Sequence, residues 1–251
     1  MWSGPETERM TRAVGGWRPI VLAWLLAAGA AAPAFAQAPD EHGKLTLGDY
    51  LFADQSSLDV NLRYSLGFWT GWLGYYAPTA GSRQGRVGLE YDLRTRWLLL
   101  IPSAQAASAG FFGASAYSEV GGRFYLIAGA SRTNLRPYVN LNFDPNESWQ
   151  LGGGAHLGKA DAIALFSIWD NRLHTGQQNT HVTVRHHIAA SRRLTLDASY
   201  KSGRGDDGAL VRGGALSLEY DWRRWFAKVA EDQHANYGPS TMWRMGGGLR
   251  F

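Results

Sequence analysis

The amino-acid sequence predicts an all-β fold, a transmembrane antiparallel up-and-down β-barrel of about twelve strands, with fourteen or ten strands as alternatives. From residue 57 onward, segments recur in which apolar and polar residues alternate, as in a strand with one apolar and one polar face. The apolar faces often end in Tyr or Trp, as they do at membrane interfaces. The polar faces carry full charges, which the polar interior of a barrel accepts.

The alternation is clearest in four segments, which are residues 58–66, 86–93, 193–201 and 215–222. A soluble β-sandwich alternates in the same way and is the competing fold. The aromatic ends of the apolar faces and the charged opposite faces favour the barrel. The abundance of glycine and aromatic residues (31 Gly, 11 Trp and 11 Tyr) also suits a curved wall crossed by aromatic girdles.

The connections between the segments alternate between short and long. Short turns are predicted at residues 93–96, 121–123, 158–161, 190–192 and 221–223. Longer loops are predicted at residues 77–84, 103–110, 131–147, 171–179, 203–208 and 232–239. In membrane barrels the short turns are periplasmic and the longer loops face outward. Counting from Trp69 gives about twelve strands, and fourteen if residues 44–51 and 58–66 both form strands.

The amino-terminal region has the three parts of a cleaved secretory signal. Arg12 and Arg18 precede an apolar run at residues 20–32, and Ala34-Phe35-Ala36 follows it. The run is shorter than the ~20 apolar residues of a membrane-spanning helix. We therefore predict a signal peptide at residues 1–36, a periplasmic lead or first strand at residues 37–56, and the barrel at residues 57–251.

The last ten residues show the alternation of a closing strand. Trp243, Met245, Leu249 and Phe251 share one face, and Arg244 lies on the other. A final strand that ends in Phe, behind a secretory signal, resembles the Gram-negative bacterial outer-membrane β-barrel proteins. The resemblance implies an integral outer-membrane protein in contact with membrane lipid and lipopolysaccharide. It also implies that the barrel-assembly machinery recognises the closing strand through those four apolar residues.

Composition excludes several classes of function. The chain has no cysteine, which rules out disulfides and thiolate metal sites. Its net charge of +4 is too mild to indicate a nucleic-acid partner. We expect no cofactor and no metal site.

Alternation places a set of charged residues on the predicted inner face. These residues are Asp59, Arg63, Arg86, Glu90, Asp92, Glu119, Arg185, Arg193, Asp197, Lys201, Glu219, Asp221, Lys228, Arg244 and Arg250. Both signs occur in similar number, whereas a strongly selective pore would show an excess of one sign. Two interpretations stay open, a narrow hydrophilic pore and a salt-bridged interior that does not conduct.

The longest predicted loop, residues 132–147, has an alternation of its own. Tyr138, Leu141 and Phe143 lie among polar residues that include Asn140 and Asp144. The loop either folds inward as a constriction, binds sugar or lipopolysaccharide, or extends a hairpin beyond the membrane. We expect the hairpin extension, because most loops serve as connections.

One loop offers a weak catalytic candidate. Ser240 and His234 supply the residue types of a nucleophile and a base, and either Asp232 or Asn236 could orient the base. Many loops of this composition contain such a trio, so we do not expect an enzyme. The first functional hypothesis is a small passive channel for hydrophilic solutes. The alternatives are a structural or adhesive barrel that acts through its outer loops, and a lipid-modifying enzyme of the outer leaflet.

Overall fold

The structure, a computed structural model, describes residues 42–157 and 161–251. The predicted signal peptide, its cleavage site near Ala36 and most of the turn at residues 158–161 lie outside the described residues. Among the residues described, no helix is long and apolar enough to cross a membrane.

In the described part of the chain, fourteen antiparallel strands form one closed barrel. In chain order they are β1 (Gly43–Leu51), β2 (Ser56–Leu66), β3 (Trp69–Pro78), β4 (Gln84–Tyr91 and Leu93–Arg94), β5 (Leu98–Ala107), β6 (Phe111–Gly121), β7 (Phe124–Thr133), β8 (Ser148–His156), β9 (Ala162–Asp170), β10 (Gln178–Ala189), β11 (Arg192–Arg204), β12 (Leu210–Trp222), β13 (Trp225–Asp232) and β14 (Met242–Arg250). The two segments of β4 pair with β5 in one unbroken register, so they are one strand.

The structure thus has the alternative strand count of fourteen and not the preferred twelve. The two strands that the count of twelve left out are β1 and β2. Since β1 begins at Gly43, the barrel starts inside the region predicted as a lead or first strand.

Each strand pairs with its neighbours in the chain, and β1 pairs with β14 to close the barrel. Lys44 stands opposite Arg250 in this last pair. Two backbone hydrogen bonds extend the pairing beyond β14: the Gly43 N–H donates to the Phe251 carbonyl (2.6 Å) and the Phe251 N–H to the Gly43 carbonyl (2.9 Å). Each described strand is paired on both sides, so none of them is an open edge.

The outer face of the barrel is apolar. Leu66 is 74% exposed and Phe124 is 71% exposed, and many other large apolar side chains share this face. A soluble monomer rarely exposes so much contiguous apolar surface, whereas a barrel surrounded by lipid does.

The two ends of the barrel differ. The turns after β2, β4, β6, β10 and β12 are short and lie at the same end as Gly43 and Phe251. The longer connections lie at the opposite end. This confirms the prediction that short turns and longer loops alternate along the chain and lie at opposite ends of the barrel. One predicted loop, residues 103–110, is mostly strand, because β5 continues to Ala107 and a tight turn, Ser108–Gly110, follows it.

Candidate functional site: the lumen and its infolded loop

The inner face of the barrel follows from the strand register. Residues that pair directly on neighbouring strands point to the same face of the sheet. Asp59 of β2 pairs with Gly48 of β1 and Tyr76 of β3, and following such pairs from strand to strand identifies the inner residues of all fourteen strands. The residues predicted for the lumen all lie on this face: Asp59, Arg63, Arg86, Glu90, Asp92, Glu119, Arg185, Arg193, Asp197, Lys201, Glu219, Asp221, Lys228, Arg244 and Arg250.

Much of the lumenal charge is neutralised in ion pairs between different strands, most of which are separated by one intervening strand. Asp221 of β12 accepts from Arg193 of β11 (2.9 Å) and from Arg250 of β14 (2.5 Å). Glu219, on the same strand, lies 3.4 Å from Arg250 and 3.8 Å from Lys44 of β1. This network joins the first and last strands through side chains as well as through the backbone.

Three further pairs lie in the lumen, two of them towards the end with the long loops and one, Arg63 with Glu90, towards the end with the short turns. Arg86 binds Asp59, Arg63 binds Glu90, and Lys201 binds Asp232. The Lys201–Asp232 pair is almost fully buried, with side-chain exposures of 0% and 8%. Each of these carboxylates has its counter-charge in place, which is the condition for a charge to be buried at acceptable free energy.

The charges are not spread evenly around the lumen. We call the inner faces of β10–β14 and β1–β4 the charged wall, and the inner faces of β5–β9 the hydroxyl wall. Among the described residues, the hydroxyl wall holds only two full charges, Glu119 and Asp170. It also presents Ser, Thr, Gln, Gly and Ala, together with large apolar and aromatic side chains. Its small or amide-bearing polar members include Ser103, Gln105, Ser115, Ser131, Thr133, Ser148 and Gln150. Its large side chains include Leu99, Ile101, Phe111, Tyr117, Tyr125, Ile127, Phe166 and Ile168.

The connection between β7 and β8, residues 134–147, folds into the lumen. We call it the infolded loop. Its Val139 exchanges two hydrogen bonds with the Gln84 side chain of β4, at 2.9 and 3.1 Å. Its Tyr138 stacks on Phe111 of β6, with ring centroids 4.0 Å apart. The expectation that this loop extends a hairpin beyond the membrane is therefore wrong.

The apolar residues of the infolded loop pack against the charged wall. Leu141 and Phe143 are buried in a cluster with Tyr50 of β1, Tyr76 of β3 and Met242 of β14. Ala235, from the loop between β13 and β14, completes the cluster. Burying these side chains fixes the loop across the lumen by the same hydrophobic effect that builds a protein core.

The far end of the infolded loop is held by a histidine between two carboxylates. His181 of β10 lies 3.1 Å from Asp144 of the loop through Nε2 and 3.0 Å from Asp197 of β11 through Nδ1. The Asn179 side chain donates to the same oxygen of Asp144 at 2.8 Å. Thr183 donates to Asp197 at 2.5 Å. Asp144 is thus tied to β10 and β11, at a different part of the charged wall from the apolar cluster on β1, β3 and β14.

Glu147 anchors the base of the infolded loop. Its side chain is 1% exposed and accepts hydrogen bonds from the backbone N–H (2.6 Å) and the hydroxyl (2.5 Å) of Thr133. Arg172 lies 3.2 Å and Arg132 3.4 Å from the other carboxylate oxygen. Burial alone would raise the pKa of Glu147, but the hydrogen bonds from Thr133 and Arg172 outweigh it and hold that pKa below its usual value.

A polar cavity of about 220 Å³ lies between the infolded loop and the hydroxyl wall. Residues of the loop that alternate with the apolar ones face it, namely Tyr138, Asn140, Asn142 and Asp144. The infolded loop is therefore two-sided, with one side packed on the charged wall and the other lining the cavity.

The structure does not bring the catalytic candidates together as a relay. Asp232 binds Lys201, and His234 Nδ1 lies 2.9 Å from the carbonyl oxygen of Gly238. The backbone carbonyl of Ser240 accepts from the N–H of Ala235. The acid and the base thus each have another partner.

Several residues of the site were not found from the sequence. Tyr50 and Tyr76 point into the lumen, and Glu147 and His181 hold the infolded loop. The alternation of apolar and polar residues at 138–144 was the one available signal, because a two-sided segment needs a surface to cover its apolar side.

Comparison with known proteins gives likeness of fold. No protein-family model matches the chain, and no curated protein sequence matches it. The outer membrane protein Omp33 of Acinetobacter baumannii is similar in structure, with a TM-score of 0.61 and 10% identity over 86% of this chain and 100% of that one. The KdgM porin (TM-score 0.48, 11% identity, 83% of this chain and 99% of that one) and the NanC porin (0.47, 8%, 83% and 100%) are also similar.

Proposed function

We propose that the chain is an outer-membrane channel for small hydrophilic solutes, narrowed by its infolded loop. The observation that carries this proposal is the polar cavity between the infolded loop and the hydroxyl wall. A barrel of about eight strands is filled by its own side chains, whereas fourteen strands enclose more space than the wall residues occupy. The loop takes up part of that space and leaves a hydrophilic remainder.

The proposed location agrees with the two ends of the barrel. The short turns and Gly43 would face the periplasm, and the long loops would face outward. We propose that residues 1–36 are removed near Ala36 during export. We also propose that the assembly machinery recognises Trp243, Met245, Leu249 and Phe251. The outer face would then contact membrane lipid and lipopolysaccharide.

A non-conducting barrel is the second candidate, and the packing of the infolded loop favours it. Leu141 and Phe143 seal one side of the lumen against the charged wall. If the remaining cavity does not continue through the barrel, the protein acts through its outer loops. We assign no catalysis, since Asp232 is committed to Lys201.

Single-channel conductance of refolded residues 37–251 in a planar bilayer tests the channel. We would compare the parent with a variant in which residues 139–143 are replaced by a flexible linker of equal length. The parent is expected to show small, stable steps, and the variant larger ones, because the loop no longer occupies the lumen. A matched control replaces residues 79–83, in the loop between β3 and β4, with the same linker.

The outcomes separate the two candidates. Silence of both the parent and the loop variant, in protein shown to be folded by heat-modifiable gel mobility, would contradict the channel. Silence of the parent with conductance of the variant would support the non-conducting barrel. Equal steps in parent and variant would show that the loop does not limit the passage.

A further inference from the structure

Three of the amide side chains that line the cavity beside the infolded loop have no hydrogen-bond partner among the described residues. Gln105 of β5, Gln150 of β8 and Asn142 of the loop all line it. Within residues 42–157 and 161–251, none of these three side chains makes a hydrogen bond to another protein group. A carboxamide has two N–H donors and an acceptor oxygen, so each of the three can both donate to and accept from a ligand.

Serine hydroxyls extend this lining along the hydroxyl wall. Ser103 and Ser115 form a hydrogen bond of 2.7 Å, and Ser131 and Ser148 form one of 2.8 Å. A hydroxyl has one donor and two acceptor positions, so each pair keeps unused acceptor capacity. The lining as a whole therefore offers interspersed donors and acceptors.

Fixed charges near the cavity are already engaged. Asp144 accepts from Asn179 and lies within hydrogen-bond distance of His181. Arg132 lies 3.4 Å from Glu147. A charged ligand bound here would have to compete with these contacts and would lose hydration without a free counter-charge, which is unfavourable. A neutral ligand that forms many hydrogen bonds carries no such penalty.

An aromatic ring borders the same cavity. Tyr138 lines it and is held flat against Phe111, with an angle of 14° between the ring planes. Because Phe111 is buried behind it, the Tyr138 ring is a fixed apolar surface beside the polar lining. An apolar surface next to donors and acceptors suits a molecule with both a C–H face and a rim of hydroxyls.

We infer that this cavity binds a neutral sugar. Vicinal hydroxyls match the amides of Gln105, Gln150 and Asn142, and the C–H face of the sugar ring matches Tyr138. The volume, about 220 Å³, is below the range of most small-molecule pockets, which favours a single ring over an oligomer. The inference rests on the proposed function, since it names the class of solute that the channel would admit.

Binding to the refolded protein in detergent micelles tests the inference without requiring conductance. The probes are D-glucose, D-galactose and D-mannose, with D-galacturonate as the anionic comparison, and the readout is saturation-transfer NMR with titration. We expect at least one neutral sugar to bind and galacturonate to bind more weakly. The double variant Gln105→Leu/Gln150→Leu should weaken binding about tenfold, because two amide partners are lost.

Two further variants guard the interpretation. Gln178→Leu changes an exposed glutamine on the outer face and should leave the affinity unchanged. Asn142→Ala tests the same site from the loop, in case the double variant does not fold. The conductance of the parent and of each variant is measured in potassium chloride as an independent test of the channel.

The failures of the two proposals are distinguishable. If none of the three neutral sugars binds, or if galacturonate binds more tightly than all of them, the inference is overturned even in a conducting barrel. If a neutral sugar binds and the double variant loses it, the inference stands. If the sugar binds in this way but the protein does not conduct, the result contradicts the proposed channel function and leaves the sugar site standing.

Discussion

The charged wall and the hydroxyl wall are both built from antiparallel strands with one inward and one outward face, but their inner faces have different roles. On the charged wall, most strands alternate between apolar residues outside and polar residues inside, many of them ion-paired, and the infolded loop packs there on Tyr50 and Tyr76. On the hydroxyl wall, the inner face carries few charges, and its small polar residues line the cavity. The comparison teaches that alternation defines the barrel, whereas side-chain class decides which part of the lumen is closed.

We expect the largest loss of stability when the most buried ion pair of the charged wall, Lys201 with Asp232, is broken. Lys201→Met leaves Asp232 buried without a counter-charge, and we expect the free energy of unfolding to fall by about 3–5 kcal/mol. Denaturant unfolding in lipid vesicles measures it. Adding Asp232→Leu should restore most of the loss, because the second change removes the unpaired charge.

The control for that experiment is an exposed pair. Arg94 and Asp92 keep side-chain exposures of 65% and 40%, so Arg94→Met should lower the free energy of unfolding by less than ~1 kcal/mol. If Lys201→Met lowered the free energy of unfolding no more than Arg94→Met does, the burial of the Lys201–Asp232 pair would not make it more important for stability than an exposed pair.

The next effect concerns the base of the infolded loop. Glu147→Gln removes a charged acceptor from Thr133 and Arg172, and we expect the loop anchor to weaken by about 1–3 kcal/mol. The readout is the frequency of conductance fluctuations, which should rise. Asp161→Asn, in the turn between β8 and β9 at the opposite end of the barrel, is the matched control and should leave the fluctuations unchanged.

The same anchor predicts a pH dependence. Because the pKa of Glu147 lies below its usual value of 4.5, its stabilising effect is complete above that value and is lost as the pH falls through the folded-state pKa. The parent protein should therefore fluctuate more at pH 3 than at pH 7. The Glu147→Gln variant should show the same fluctuations at both pH values, and a persistent acid response in it would assign the effect to other groups.

A smaller effect tests whether the charged wall sets ion preference. Within the described part of the chain, Arg185 has no carboxylate within 4.0 Å, so its charge is not cancelled by an ion pair. A unit charge ~10 Å from a permeant ion in water contributes about 0.4 kcal/mol. Because the charge attracts an anion and repels a cation by that amount, Arg185→Gln should lower the anion-to-cation permeability ratio about fourfold, measured from the reversal potential in a salt gradient. An unchanged ratio would place the permeation path away from Arg185.

The smallest effect is expected on the hydroxyl wall. Ser103→Ala/Ser115→Ala removes both partners of one hydrogen bond, which changes stability by less than ~1 kcal/mol since no group is left unsatisfied. The ion preference should stay that of the parent, because no charge is altered. A loss of stability comparable to that of Lys201→Met would erase the distinction between the walls.

Much of the barrel was predictable because period-two alternation is a local property. Leu58, Leu62 and Arg63 take their faces from their position in one strand, whatever β2 pairs with. The inner position of each charged residue follows by the same logic. Which residues form ion pairs does not follow, because Arg86 meets Asp59 only through the register of three strands.

Strand β1 shows where local pattern fails. After Leu47 its alternation reverses, since Gly48 and Tyr50 point inward and Asp49 points outward. The aromatic ring of Tyr50 can face the lumen because Phe143 and Tyr76 pack against it and cover it. Phe143 is far away in the sequence, so the local pattern around Tyr50 does not show this contact. The infolded loop was mispredicted for the same reason, because its apolar side is explained only by the wall it covers.

The pairing of β1 with β14 has a consequence for the order of folding. Every other strand pair joins neighbours in the chain, whereas Lys44 and Arg250 are separated by almost all of the described residues. Such a non-local contact forms slowly, and it cannot form before residues 242–250 have been synthesised. Until then both strands are open edges able to pair with a strand of another molecule. Aggregation during refolding should therefore depend on protein concentration and end when this last seam closes.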